Sequence, residues 1–254
     1  MLGALAALVV VGYLALCGAL YAFQRSLLYF PQARNGPPAD EITLPGIGVA
    51  VRASVRPHEG PQALVYFGGN GEDVSQTLPE LARTFPEHAI YAMHYRGYGR
   101  SGGSPSEAAL QGDALALFDL VARSHAHVSA IGRSLGSGIA IRVARERPVS
   151  RLVLVTPYDS IAALAAAQFR WFPVRWLLQD TYESVRHAPA VTVPTTLVAA
   201  AHDEVIPRAS TERLLAAFAP GIATLIVIPD AGHNDLSRLP DYGRALRTGL
   251  PHQP

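Results

Sequence analysis

The chain contains no lysine, and its basic side chains are all arginine. That is a matter of composition and points to no chemistry. There is one cysteine, Cys17, which excludes a disulfide framework within the chain. It follows Leu16, where a lipoprotein signal needs a small residue, so lipidation is not expected. Charge is scarce at 16%, and the formal net charge is +1. The arginines are scattered, which leaves no basic footprint for nucleic acid. There is no internal repeat, and no low-complexity tract outside the N-terminal run. The histidines and acids lack metal-ligand spacing, so neither a metal nor a cofactor is expected. The stretch "GGNGE" lacks the Lys-Ser/Thr ending of a phosphate cradle.

What is abundant is apolar. Hydrophobic residues make up 49% of 254 positions, enough for one domain with a sizeable core. Residues 1–23 carry no charged side chain. More than ~18 apolar residues can cross ~30 Å of hydrocarbon as a helix. The basic start and small-residue cleavage site of a secretory signal are missing. A retained, single-pass membrane anchor over 1–25 is therefore expected, in preference to a cleaved leader. Arg25 and Arg34 follow the run and no basic side chain precedes it, which places the remaining chain on the cytoplasmic side. Residues 26–40 read as a juxtamembrane linker, with "SLLYFP" along the bilayer surface and "ARNGPPAD" rich in turn formers.

Residues 41–254 read as one α/β domain. Strands are expected at 49–55, 63–67, 89–95, 128–132, 151–156, 195–200 and 223–228. Helices are expected at about 75–84, 107–123, 135–146, 209–218 and 235–248. Near-continuous apolar strands alternating with helices imply a mostly parallel central sheet with helices on both faces. The interval 157–190 is longer than one crossover helix needs and reads as a small helical cap. Trp171, Phe172 and Trp176 would give that cap an apolar underside, packed on the core, lining an acyl pocket or touching the bilayer.

Three sequence positions point to chemistry. "VSAIGRSLG" runs from a strand through Gly-Arg-Ser-Leu-Gly into a helix, the setting of a strained turn that exposes a serine nucleophile, here Ser134. Gly132 and Gly136 would relieve crowding where backbones pass closely. A serine needs a base to take its proton. His233, in "IPDAGHND" after a strand, is the best placed of nine histidines. An imidazole base needs an anionic orienter, and Asp203 in "AAHDEVIP" follows the preceding strand, with Glu204 as its competitor. Neighbouring His202 is not taken as the base, since adjacency along a loop does not aim a ring. The order Ser134, Asp203, His233 is the one known on α/β sheets. An oxyanion would be held by the backbone amides of Leu135 and Asn70, with Gly69 the near alternative to Asn70.

Together, "FQRSLLYFP", "FGGNGEDVS", "YRGYGRSGGSPSE", "GRSLGSG", "HDEVIP" and "PDAGHND" resemble the membrane-anchored α/β-hydrolases related to serine aminopeptidase-like and abhydrolase-domain proteins. The resemblance covers nearly the whole chain and implies the α/β-hydrolase fold. It implies a serine hydrolase that cleaves carboxylic ester or thioester bonds of acyl or lipid-like substrates through a covalent acyl-enzyme. Amide or peptide hydrolysis by the same triad stays open, as does a non-catalytic, membrane-tethered binding protein. Two positions depart from the family pattern. Gly68 stands where a histidine is usual, and His94 where an aspartate is frequent.

Overall fold

Apolar runs that must bury both faces need a layer on each side, and the folded chain supplies them. The structure is a computed structural model that describes residues 2–45 and 48–250. Eight strands form one sheet: β1 Asp40–Thr43, β2 Arg52–Arg56, β3 Gln62–Phe67, β4 Ala89–His94, β5 His127–Arg133, β6 Leu152–Val155, β7 Thr195–Ala200 and β8 Ala223–Ile228. Their order is β1-β2-β4-β3-β5-β6-β7-β8. β1 with β2 and β2 with β4 pair antiparallel, and every other neighbour pairs parallel.

Alternate residues of β3 show the two layers. Ala63, Val65 and Phe67 belong to one core, with residues of α3 (Glu107–Val121), α4 (Leu135–Glu146) and α8 (Arg208–Ala217). Leu64 and Tyr66 belong to the other, with residues of α2 (Val74–Thr84) and α9 (Pro240–Gly249). Period-two side-chain placement on a strand makes this split automatic. α9 begins at Pro240 and not near 235. Proline suits the first helical position, where its missing N–H would have had no partner, and a 3₁₀ turn over Leu236–Arg238 fills the gap.

The segment between β6 and β7 holds three short helices, α5 Ile161–Gln168, α6 Val174–Leu177 and α7 Ser184–His187. The expected apolar underside is not formed by the tryptophans. Trp171 and Trp176 are 87% and 88% exposed, and only Phe172 stacks, on Tyr13. For Trp176 the reason is local: α6 is a single turn after Pro173, and with Val174 turned inward, Arg175 and Trp176 face out, while Trp171 lies in the turn before it.

Ahead of the domain runs α1, Leu2–Leu28, about 40 Å long at 1.5 Å per residue. It is long and apolar enough to cross a membrane, and only 6% of its most apolar window is buried, so it is not a core helix. Its last turn and the chain beyond it do not form a free linker. Tyr29 is buried, Phe30 N–H donates to the Asn70 carbonyl, and the amides of Asn35 and Gly36 reach Asp73 and Ser75. Residues 29–36 are a strap held against the domain by backbone hydrogen bonds.

Candidate active site

The site begins where β5 ends. Ser134 alone separates the last residue of β5 from the first of α4, and it adopts φ 50°, ψ −117°. A non-glycine residue held there stores about 1–3 kcal/mol of strain, which the packing around it must maintain. That packing is tight. A Cβ on Gly136 would lie 2.1 Å from the Phe67 carbonyl oxygen, and one on Gly132 would lie 2.3 Å from the Gly136 oxygen. β3, the turn and α4 can meet only if both positions lack a side chain.

The loops after β7 and β8 bring the other two candidates to this turn. His233 Nε2 lies 3.0 Å from Ser134 Oγ. His233 Nδ1 lies 2.9 Å from both carboxylate oxygens of Asp203. Facing a carboxylate, Nδ1 must carry the hydrogen, so Nε2 presents its lone pair to the serine hydroxyl. His233 is only 5% exposed. Asp203 is itself fixed, since its Oδ1 also accepts the amides of Val205 and Ile206 at 2.9 and 2.7 Å. Glu204, the sequence competitor, takes the His233 backbone N–H at 3.0 Å and does not meet the ring nitrogens. His202 is exposed, and its amide bonds the Ala231 carbonyl.

The two residues whose amides are expected at an oxyanion, Leu135 and Asn70, line the same cavity as Ser134. Leu135 N–H is the first of α4, without an acceptor among the described residues. Gly69 N–H already donates to Glu72 Oε2 at 2.8 Å, which of these two candidates favours the Asn70 amide as the free donor. Asn70 is held from three directions. Its carbonyl accepts from Phe30 N–H at 3.0 Å and from the Tyr98 hydroxyl at 2.5 Å, and its side-chain amide donates to the Leu28 carbonyl at 2.9 Å. The end of α1 is thus tied to the loop that faces the serine.

One ion pair in the site escaped the sequence reading. Arg133, the residue before Ser134, donates to Glu72 Oε2 at 3.1 Å and to the His233 carbonyl at 3.4 Å. Glu72 also accepts from Tyr66, Thr77 and the Gly69 amide. Burial, the largest single influence, would lower the Arg133 pKa, but the charge of Glu72, the neighbouring Tyr66 and Tyr242 and the hydrogen bond to Glu72 together raise it and keep the guanidinium protonated. The pair joins the serine turn, the Gly69–Asn70 loop and the histidine loop. It also accounts for Gly68: a Cβ there would lie 2.7 Å from Val74 Cγ1 and 3.0 Å from Glu72 Cδ, so the space for a histidine is occupied.

Ser134 and His233 open on a cavity of about 1010 Å³. Leu28, Ile161 and Leu164, from α1 and the cap, give it apolar lining, while Asn35, Asp73 and Gln76 give it polar lining. Among the described residues, no group of three His, Cys, Asp or Glu side chains could hold a metal ion.

No family model matches the chain. It is 32% identical over 232 residues to an uncharacterised protein of Mycobacterium tuberculosis, covering 85% of this chain and 82% of that one. It is 32% identical over 168 residues to the lysophosphatidylserine lipase ABHD12 of Xenopus tropicalis, covering 57% of this chain and 43% of that longer one. Among solved structures, the mouse alpha/beta hydrolase domain-containing protein 10 superimposes with a TM-score of 0.65 at 16% identity, over 84% of this chain and 97% of that one.

Proposed function

The chain belongs to the abhydrolase-domain family of α/β-hydrolases, and from that premise we propose that it is a serine hydrolase acting on ester or thioester bonds of acyl substrates. The observation that carries the reading is the continuous line from Ser134 Oγ through the His233 ring to Asp203, at 3.0 and 2.9 Å, facing a cavity. In this mechanism His233 Nε2 takes the hydroxyl proton as Ser134 attacks the acyl carbon. Asp203 fixes the ring and stabilises its charged form. The tetrahedral oxyanion lies between the amides of Leu135 and Asn70; one such donor is worth about 2.7–4 kcal/mol in comparable sites. His233 then protonates the leaving oxygen or sulfur, and an acyl-serine remains. Water, deprotonated by the same ring, releases the acid and restores Ser134.

The apolar half of the cavity supports an acyl group, and the family includes a protein named as a lipase. The test compares labelling by a fluorophosphonate probe, and hydrolysis of p-nitrophenyl butyrate, in the parent and in Ser134→Ala. Loss of both in the variant is expected. Full labelling of Ser134→Ala would overturn the assignment. A panel of acyl esters, acyl thioesters and aminoacyl amides then tests the substrate class, and preference for amides would refute the ester reading.

A further inference from the structure

The apolar stretch of α1 ends at Phe23, before Gln24 and Arg25, which sets the hydrocarbon edge near Phe23 if this helix crosses a bilayer. The tip of the cap reaches far past that edge. The Tyr13 hydroxyl donates to the Trp171 carbonyl at 2.9 Å, and its ring stacks on Phe172 with centroids 5.8 Å apart. Tyr13 lies about 15 Å along the helix from Phe23, at 1.5 Å per residue. A helix that spans therefore carries the cap tip into the acyl layer. The tip is built for such a place. Phe169, Trp171 and Trp176 are exposed together, a patch that water disfavours. Arg175, close to Leu177 whose carbonyl bonds Gln24 at that edge, has a stem long enough to return its charge to the interface.

Behind the tip, between α1 and the cap, lies a second cavity of about 120 Å³, lined by Leu20, Leu27, Phe172, Val174 and Leu177 among others. Its one polar lining residue, Gln24, is fully engaged: Nε2 donates to the Tyr21 and Leu177 carbonyls and Oε1 accepts from Gln179 N–H. Nothing in the crevice is left to hold a polar ligand. Its volume is about four waters' share of liquid, room for a segment of one hydrocarbon chain. It adjoins the Ser134 cavity, because Leu27, Leu28, Ile161 and Ala165 line both. Along α1 it runs from Leu20, on the hydrocarbon side of Phe23, to Leu28, which also lines the Ser134 cavity, about 12 Å.

We propose that the cap tip, residues 169–177, is embedded in the bilayer and that the crevice between α1 and the cap is the binding site for one acyl chain of a bilayer lipid ester. The chain passes along the crevice from the hydrocarbon while its carbonyl reaches Ser134. The lipid's polar part lies in the other half of the cavity, beside Asn35, Asp73 and Gln76. The anchor helix is then a wall of the substrate site as well as a tether. This inference rests on the serine-hydrolase reading for the fate of the ester, but not for the binding of the chain.

The chain's two tryptophans are both in the tip, so intrinsic tryptophan emission of the full-length protein in lipid nanodiscs reports on the tip alone. Lipids brominated on the acyl chain are expected to quench it, and acrylamide to quench it little. Acrylamide quenching without bromolipid quenching would overturn the embedding. The crevice is tested with Leu20→Trp at its far end and Ala165→Phe at its junction with the main cavity, using p-nitrophenyl butyrate and laurate. Laurate hydrolysis is expected to fall relative to butyrate by more than about ten-fold, since each methylene withdrawn from apolar contact costs about four-fold. An unchanged laurate-to-butyrate ratio in both variants would refute the crevice as an acyl site. If butyrate hydrolysis in the parent depends on Ser134 while that ratio does not move, the crevice fails alone. Butyrate hydrolysis that survives Ser134→Ala removes the serine-hydrolase reading, and the quenching result still decides whether the tip is embedded.

Discussion

Arg133 and Glu72 show how much of a site can depend on residues that touch no substrate. Glu72 accepts hydrogen bonds from four groups, and Arg133 supplies the positive charge among them. Removing one partner of a buried pair leaves an uncompensated charge, which costs about 3–5 kcal/mol. Arg133→Met is therefore expected to lower the melting temperature. It should also reduce kcat on a short ester more than it raises KM, because the Asn70 loop loses its fixed distance from Ser134. Equal kcat in the variant would show that the pair serves stability alone. His94 offers a second test at this scale. Its Nε2 pairs with Ser54 Oγ at 2.8 Å, and burial lowers its pKa below the usual 6.5. Once unfolded, it takes a proton near pH 6.5; folded, it resists to lower pH. Below about pH 6.5 the unfolded state thus binds more protons, and stability falls as the pH falls. Unfolding free energies of parent and His94→Gln should converge in slope above pH 7, with the parent steeper between pH 6.5 and 5. Parallel slopes throughout would refute this. The three candidate catalytic residues were legible because each follows an apolar strand within a few positions. The Arg133–Glu72 pair was not, since 61 residues separate its members and nothing local marks either as buried.

At the scale of elements, the strap at residues 29–36 carries more than its composition suggests. "SLLYFP" reads as surface-seeking because it is apolar, yet part of it is apolar because it packs: Tyr29 is 3% exposed. Apolarity alone does not tell lipid from protein as the partner. The same ambiguity holds for the tryptophans of the cap, for which core packing, an acyl pocket and the bilayer were all open and which are both exposed. β1 was missed because Asp40–Thr43 is short and polar enough to look like the end of a linker. The parallel strands were legible, since layers on both faces demand unbroken apolar runs. Between strap and site stands Tyr98, whose hydroxyl accepts from Phe30 N–H at 2.9 Å and donates to the Asn70 carbonyl at 2.5 Å. Tyr98→Phe deletes both bonds in a buried place and should cost about 1–3 kcal/mol. If the strap positions the Asn70 amide, kcat should drop while KM for a short ester holds; stability loss with unaltered kcat would confine the strap to a structural role.

For the whole molecule, the open question with a physical answer is which way the chain faces. Arg25 and Arg34 are the basic residues that follow the apolar run, and both are paired in the fold, with Asp180 at 3.0 Å and Glu41 at 2.9 Å. Pairing does not cancel their influence. Insertion responds to lysine and arginine near the span, while acidic residues contribute little, and it precedes the tertiary contacts that form those pairs. The domain is therefore expected on the cytoplasmic side. Its geometry makes the test clean. Ala126 is exposed just before β5, and Ser134 follows the last residue of that strand, so the length of the strand separates the two. A thiol placed by Ala126→Cys projects away from the bilayer, and the native Cys17 lies within α1, buried from aqueous reagent. In intact cells a membrane-impermeant maleimide should leave Ala126→Cys unlabelled, and permeabilised cells should label fully. Labelling before permeabilisation would reverse the orientation and show that two arginines close to the end of α1 do not suffice to hold the domain inside.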